Sequence, residues 1–428
     1  MTSPEPVTGA ARYGVATAAR RIAAGELSSE QLVTACLERI EARENEVHAW
    51  RQIDRSAVLA TARARDRETP SGPLHGVPVG VKDLIDTDDL PTTYGSPIYA
   101  HHRPERDAAC VGRLRAAGAV VLGKTVTTEF ALFSPGPTAN PRDLSRTPGG
   151  SSSGSAAAVT DHMVPLALGT QTAGSVVRPA SFCGVFGLKP TFGIIPTAGV
   201  KPVSHTLDTV GFFARSIGDL ALAAEVLFPT GFDTERVTPA ENLRIGFTRT
   251  PWWRQAEAST RERLEEVVGG LAGVELTRLP QSFERLVAAQ ETIMAREASD
   301  HLATERRHDA DRLSASLREL LDHGAAVSDR AYAGALDLAK RCRNELPTVF
   351  ATVDALIAPS VLGEAPEGLD ATGDPLFCRA WTLLGVPTVS VPGLTGPAGA
   401  PLGVQVVAAP GRDDVALAAA AWLAAHLA

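Results

Sequence analysis

The sequence predicts an α/β fold: one large mixed central sheet flanked by helices on both faces. Short apolar runs alternate with helix-like stretches and Gly/Pro turns from Gly76 to about Gly211. Similar runs return after residue 351, and helical spacing of apolar residues dominates the first 65 residues and the stretch 252–350.

The elements follow in chain order. Residues 1–65 read as a helical wrap, because Ser28 with Gln31 forms a capping-box pattern and Leu32, Val33, Cys36, Leu37 and Ile40 recur on one helical face. Residues 76–211 hold strand-like runs such as Val77-Pro78-Val79-Gly80-Val81 and Val120-Val121-Leu122-Gly123. Residues 252–350 are charged and helix-like, as in Arg261-Glu262-Arg263-Leu264-Glu265-Glu266-Val267-Val268, and read as a helical excursion over the pocket. Strand signals are few there, until Val353-Asp354-Ala355-Leu356-Ile357-Ala358-Pro359. Residues 351–428 then close the fold with strands at Val386 to Pro392 and Gly403 to Val407 and a terminal helix. That helix contains the longest apolar run, Val415 to Ala425, far short of the roughly 18 to 20 residues a membrane span needs. No repeat or long linker divides the chain, so residues 1–428 are expected to form a single domain.

Composition narrows the function. The 428 residues carry 41 Lys+Arg against 49 Asp+Glu, a net charge of −8, so no basic footprint exists for nucleic acid or an anionic membrane. With 44% hydrophobic and 21% charged residues a sizeable core can be buried. The five cysteines are scattered and contain no C-x-x-C, which argues against a disulfide framework or a zinc knuckle and for a reducing cytosol. Met1-Thr2-Ser3-Pro4-Glu5-Pro6 has neither a basic n-region nor an apolar h-region, so no secretory signal and a cytoplasmic location are expected.

The densest unusual stretch is Thr147-Pro148-Gly149-Gly150-Ser151-Ser152-Ser153-Gly154-Ser155-Ala156-Ala157-Ala158-Val159. A flexible linker does not usually feed directly into a helix former, and a phosphate loop would need G-x-x-x-x-G-K-[ST]. Gly150-Ser151-Ser152-Ser153-Gly154 matches G-x-S-x-G formally, but the preceding Asn140 to Arg146 makes a poor strand and no later histidine stands out. Two other elements carry chemistry. Lys82 ends an apolar strand, where desolvation pulls an ammonium toward general-base range. Ser175 follows a small-residue turn whose backbone N–H groups can converge on an oxyanion. Taken singly, Lys82 also fits a snorkelling surface lysine and Ser175 an ordinary turn.

Together, Gly149 to Ala158, Gly169 to Ala180 and Phe182-Cys183-Gly184-Val185-Phe186-Gly187-Leu188-Lys189-Pro190-Thr191 resemble the amidase signature family. The resemblance extends to Ile85-Asp86-Thr87, Leu122-Gly123-Lys124-Thr125, Leu207-Asp208-Thr209-Val210-Gly211 and Gly403-Val404-Gln405-Val406. It implies the amidase-signature fold and a Ser-cisSer-Lys triad: Ser175 as nucleophile, Ser151 as relay after a cis peptide from Gly150, and Lys82 as base. The N–H groups of Thr172, Ala173, Gly174 and Ser175 would form the oxyanion hole. Gln171 stands where most of the family carries Asp, and Ala173 where Gly is usual. Gln171 with Arg178 three residues after the serine, and Gly373-Asp374-Pro375 with Trp381-Thr382-Leu383, resemble the malonamidase branch.

The resemblance implies hydrolysis of an amide C–N bond through an acyl-enzyme, with no cofactor or metal and a small-molecule amide as partner. Arg178, Gln171 and Ser153 are the expected substrate-binding residues. The Arg178 guanidinium suits a substrate carboxylate such as that of malonamate. Equally, Arg178 pairs with an internal carboxylate such as Asp208 and holds its loop. Ser153 and Thr172 either bond Lys82 or line the pocket, or simply satisfy their loops. His101-His102 reads as a solvated loop, and Tyr332 and Trp381 as packing aromatics. Relatives imply a homodimer. The alternatives are an amidase for neutral aliphatic or aryl amides, an amidotransferase subunit delivering ammonia to a tRNA-bound substrate, and a silent ligand-binding member.

Overall fold

The structure is a computed structural model of the 428-residue chain and describes residue 7 and residues 9–237 and 243–427. The expectation for Met1 to Pro6 lies outside the described residues. Eleven strands form one mixed sheet: β1 (Trp50–Gln52), β2 (Pro78–Lys82), β3 (Val120–Thr125), β4 (Leu166–Gln171), β5 (Phe186–Lys189), β6 (Thr209–Ala214), β7 (Ile245–Phe247), β8 (Glu275–Leu276), β9 (Ala355–Pro359), β10 (Thr388–Thr395) and β11 (Pro401–Ala408). Their spatial order is β1-β3-β2-β4-β6-β5-β10-β11-β9-β7-β8.

The middle strands are buried along their whole length, as expected for strands covered on both faces. β2 runs parallel to both β3 and β4, with Val79 opposite Leu166 and Val81 opposite Leu168. The C-terminal ends of β2 and β4 therefore lie side by side on one edge of the sheet, the usual place for a ligand site in an α/β sheet. Beyond β4 the pairing with β6 is antiparallel, so the sheet is mixed, as the sequence predicts.

The capping box is present: Ser28 caps Ser29–Val47, with Gln31 N–H donating to Ser28 Oγ and Ser28 N–H to Gln31 Oε1. Leu32, Val33, Cys36, Leu37 and Ile40 are all buried against the main core. The terminal helix is Asp413–Leu427. Among the described residues no helix is long and apolar enough to cross a membrane. All five cysteines are free and buried.

The stretch 252–350 holds the helices Ala258–Gly270, Leu286–His301, Ala303–His308, Ala315–Ala326 and Asp329–Val349. Strand β8 interrupts them and pairs parallel with β7. These strands of three and two residues, of which β8 forms the sheet edge, are too short for an alternating apolar pattern to register. Ile293, Met294, Leu338 and Ala339 from the excursion join Trp381 and Leu383 in a second apolar cluster that also takes in Ala173 and Leu207. The excursion thus packs onto the turn that follows β4.

Candidate active site

Lys82 is the last residue of β2 and is fully buried. Its Nζ lies 2.7 Å from Ser151 Oγ and 2.7 Å from Thr170 Oγ1. Burial pushes the Lys82 pKa well below the ordinary lysine value, and the negative charge of Asp208 only partly opposes this. The neutral amine is therefore favoured over a buried ammonium without a close carboxylate. The same 2.7 Å contact then lets the Ser151 hydroxyl donate to the Nζ lone pair.

Ser151 is reached through a cis peptide from Gly150. No strand precedes Gly150, so the formal G-x-S-x-G match is not a strand-to-helix elbow. Gly149 has φ of +80°, a region that favours glycine, and a Cβ there would come within 3.0 Å of Pro179 Cα. Helix Ser153–Thr160 begins beyond the cis bond, and Ser152 Oγ bonds the backbone of Thr170 at 3.3 Å through both its N–H and its carbonyl. This ties the serine-rich loop to the strand that carries Thr170.

The turn Thr172 to Val176 joins β4 to helix Val177–Cys183 and holds Ser175, which is nearly buried. Gln290 Nε2 donates to the Thr172 carbonyl at 3.0 Å, and Thr382 Oγ1 to the Ala173 carbonyl at 2.7 Å. In a trans peptide the next N–H points opposite its carbonyl, so these two bonds aim the Ala173 and Gly174 N–H groups away from helices Leu286–His301 and Leu376–Leu384. Among the described residues, none accepts a hydrogen bond from the N–H of Ala173, Gly174 or Ser175. Buried backbone donors left open in this way are suited to a developing oxyanion.

The other expected site residues are engaged inside the protein. Gln171 accepts from the N–H of Val176 and Val177 at 2.8 and 3.0 Å and donates to Thr382 Oγ1 at 2.9 Å. Both ends of its amide are thus used to shape the turn. Ser153 Oγ donates to the Val126 carbonyl. Thr172 Oγ1 donates to Asp208 Oδ1 at 2.6 Å, and Asp208 also accepts from the N–H of Val203 and Ser204. Lys82 is held by Thr170 rather than by Ser153 or Thr172.

Arg178 does not pair with Asp208. Its Nη2 donates to the Gly150 carbonyl at 2.7 Å and its Nη1 to the Gly373 carbonyl, which clamps the loop just ahead of the cis bond. Its Nε is buried without a hydrogen-bond partner, and among the described residues no carboxylate lies within ion-pair distance of the guanidinium. Burial, with the charge of Arg379 nearby, pushes its pKa down to about 10. Replacing Arg178 with Ala is expected to lower kcat on acidic and neutral amides alike, by about tenfold or more, because the Gly150–Ser151 loop loses its clamp, and to raise KM more for the acidic amide, because a buried positive charge is lost; steady-state kinetics on both substrates checks this.

His102 is not merely solvated, since its Nε2 lies 3.0 Å from the Tyr94 hydroxyl. Trp381 is core, and the Tyr332 hydroxyl donates to buried Glu297 at 2.6 Å. Thr170, Gln290, Thr382 and Arg379 complete the site; Thr170 and Thr382 fall within stretches that carry the family resemblance, whereas Gln290 and Arg379 carry no local sequence signal. Thr170→Val is expected to lower kcat about three- to tenfold with little change in KM, since Lys82 loses one of two partners and its amine swings more freely; a kcat/KM split would check it.

The Amidase family profile matches residues 31–417. The chain is 33% identical to a subunit of glutamyl-tRNA(Gln) amidotransferase from Streptomyces coelicolor, covering 92% of each chain over 457 aligned positions. Among solved structures, an amidase superposes with a TM-score of 0.90 at 30% identity, covering 97% of this chain and 100% of the other. The peptide amidase of Stenotrophomonas maltophilia gives a TM-score of 0.85 at 30% identity with 96% of each chain covered. Fold and likeness together define an amide-hydrolysing enzyme. The chain belongs to the Amidase family.

Proposed function

We propose that this enzyme hydrolyses a small monoamide bearing a carboxylate, with malonamate as the representative, through an acyl-enzyme on Ser175. Neutral Lys82 takes the Ser151 proton while Ser151 takes the Ser175 proton, and Ser175 Oγ attacks the amide carbonyl. The oxyanion is received by the N–H groups of the Thr172 to Ser175 turn. As the C–N bond breaks, the proton returns from Lys82 through Ser151 to the departing nitrogen, which leaves as ammonia. Water, deprotonated by the same relay, then cleaves the ester to release the acid and restore Ser175. Side chains and backbone supply every step, and we read the whole chain as one domain because its strands share one sheet.

The observation that carries the acidic substrate is the Arg178 charge, buried beside the Gly150–Ser151 loop and bonded only to carbonyl groups. The charge of Asp374, beyond ion-pair distance, offsets only part of the cost of burying this cation, and an anionic ligand would offset more of it. A second reading, the ammonia-releasing component of an amidotransferase, is supported by the name of the Streptomyces coelicolor relative. The alignment to that relative spans 457 positions against 428 residues here, so the relative contains internal segments that this chain lacks.

The experiment is ammonia release from malonamate, propionamide and glutamine at equal concentration, with Ser175→Ala as the blank. A kcat/KM at least about tenfold higher for malonamate than for propionamide is expected, the scale of one charged hydrogen bond. Equal rates on the two would remove the acidic-substrate reading, and glutamine as the best substrate would favour the amidotransferase reading.

A further inference from the structure

Helix Leu376–Leu384 lies against the turn that carries Ser175. A Cβ on Gly174 would sit 2.7 Å from Pro375 Cβ and 3.2 Å from Cys378 Cβ, and Thr382 holds the Ala173 carbonyl. Arg379 is four residues after Pro375 and three before Thr382, on the face that helical spacing turns toward the same turn. It is 7% exposed.

Its Nη1 donates to Gln290 Oε1 at 2.5 Å, and the other end of the Gln290 amide donates to the Thr172 carbonyl. Its Nε faces Glu291 Oε1 at 3.5 Å, but Glu291 is half exposed and solvent-screened. Among the described residues, Nη2 has no hydrogen-bond partner. Arg178 is near enough for the two positive charges to repel, and its terminal nitrogens are already committed to Gly150 and Gly373. Asp374 offsets part of the cost of burying these two like charges, and an anion bound between them would offset more of it. Arg178 keeps only its Nε unpartnered, whereas Arg379 keeps a terminal nitrogen, Nη2, that can pair with a ligand.

We infer that Arg379 directly binds the substrate's carboxylate, while Arg178 contributes charge and holds the catalytic loop. This rests on the acidic-amide reading above. A guanidinium fork is matched to a carboxylate, and through Gln290 it is connected to the peptide whose N–H faces the oxyanion. Arg379 is therefore a specificity-determining residue whose occupancy is coupled to the geometry of the oxyanion turn.

The test compares wild type, Arg379→Ala and Arg379→Lys on malonamate and propionamide, and measures malonate binding to Ser175→Ala with and without Arg379→Ala by calorimetry. Arg379→Ala should lower kcat/KM for malonamate about 10- to 100-fold, mainly through KM, and by at least about tenfold more than for propionamide. Lysine should restore part of the loss, and malonate affinity should fall by a similar factor. If wild type prefers malonamate and Arg379→Ala keeps both that preference and malonate binding, the inference fails while the acidic-amide reading stands. Equal losses on both amides, with a lowered unfolding midpoint and undiminished malonate binding, would make Arg379 structural and also overturn it. If wild type shows no preference for malonamate, the acidic-amide reading falls and the inference with it.

Discussion

Lys82→Ala is expected to reduce kcat/KM by about 10³-fold or more at neutral pH, the upper part of the range for a positioned general base. The site contains no substitute: Thr170 and Ser151, the two groups bonded to Lys82 Nζ, are hydroxyls with no base strength near neutrality. The pH dependence has a definite sign. Because burial lowers the Lys82 pKa, the amine loses its proton as pH rises through that lowered value, and activity should climb there, well below the ordinary lysine value of 10.5. Stability carries the matching linkage. Between the lowered folded value and the unfolded one the unfolded chain binds more protons at this residue, so the cost of burying it shrinks as pH rises. Lys82→Met, which removes that linkage, should lack both the ascending limb and this contribution to the pH dependence of stability. A wild-type-like rate in Lys82→Ala would exclude Lys82 as the base.

Ser175→Ala should bring turnover to the blank, a loss on the order of 10⁵- to 10⁶-fold, as expected when a nucleophile acting as a unit with its base is removed. The fold should persist, because Ser175 forms none of the hydrogen bonds that hold the turn. Those run from the Gln171 side chain to Val176 and Val177, and from Gln290 and Thr382 to the turn carbonyls. Substrate should still bind, so a titration with malonate should give an affinity close to that of wild type. Ser151→Ala is the informative contrast, since it keeps the nucleophile and removes only the path to Lys82.

Much of this site was legible in the sequence, because the Lys82 strand, the Gly/Ser loop and the Ser175 turn are local patterns of apolar runs and small residues. What each polar side chain does was less legible. Gln171 and Arg178 are expected from the sequence to face substrate, yet the Gln171 amide is spent on Val176, Val177 and the Thr382 hydroxyl, and the Arg178 terminal nitrogens on the Gly150 and Gly373 carbonyls. Only the placed loop reveals those partners. Gln290 and Arg379 meet although they stand 89 residues apart, and Thr382 meets Ala173 from 209 residues away. No spacing rule reaches that far. Strands β7 and β8 escaped for a different reason, since two or three residues cannot show a period.

The most direct test of the Ser175–Ser151–Lys82 reading is covalent labelling by a fluorophosphonate, followed by intact mass and peptide mapping. One adduct is expected, on Ser175, that forms rapidly in wild type, slows by orders of magnitude in Lys82→Ala and Ser151→Ala, and is absent in Ser175→Ala. An adduct on another residue, or labelling of Lys82→Ala at the wild-type rate, would contradict it.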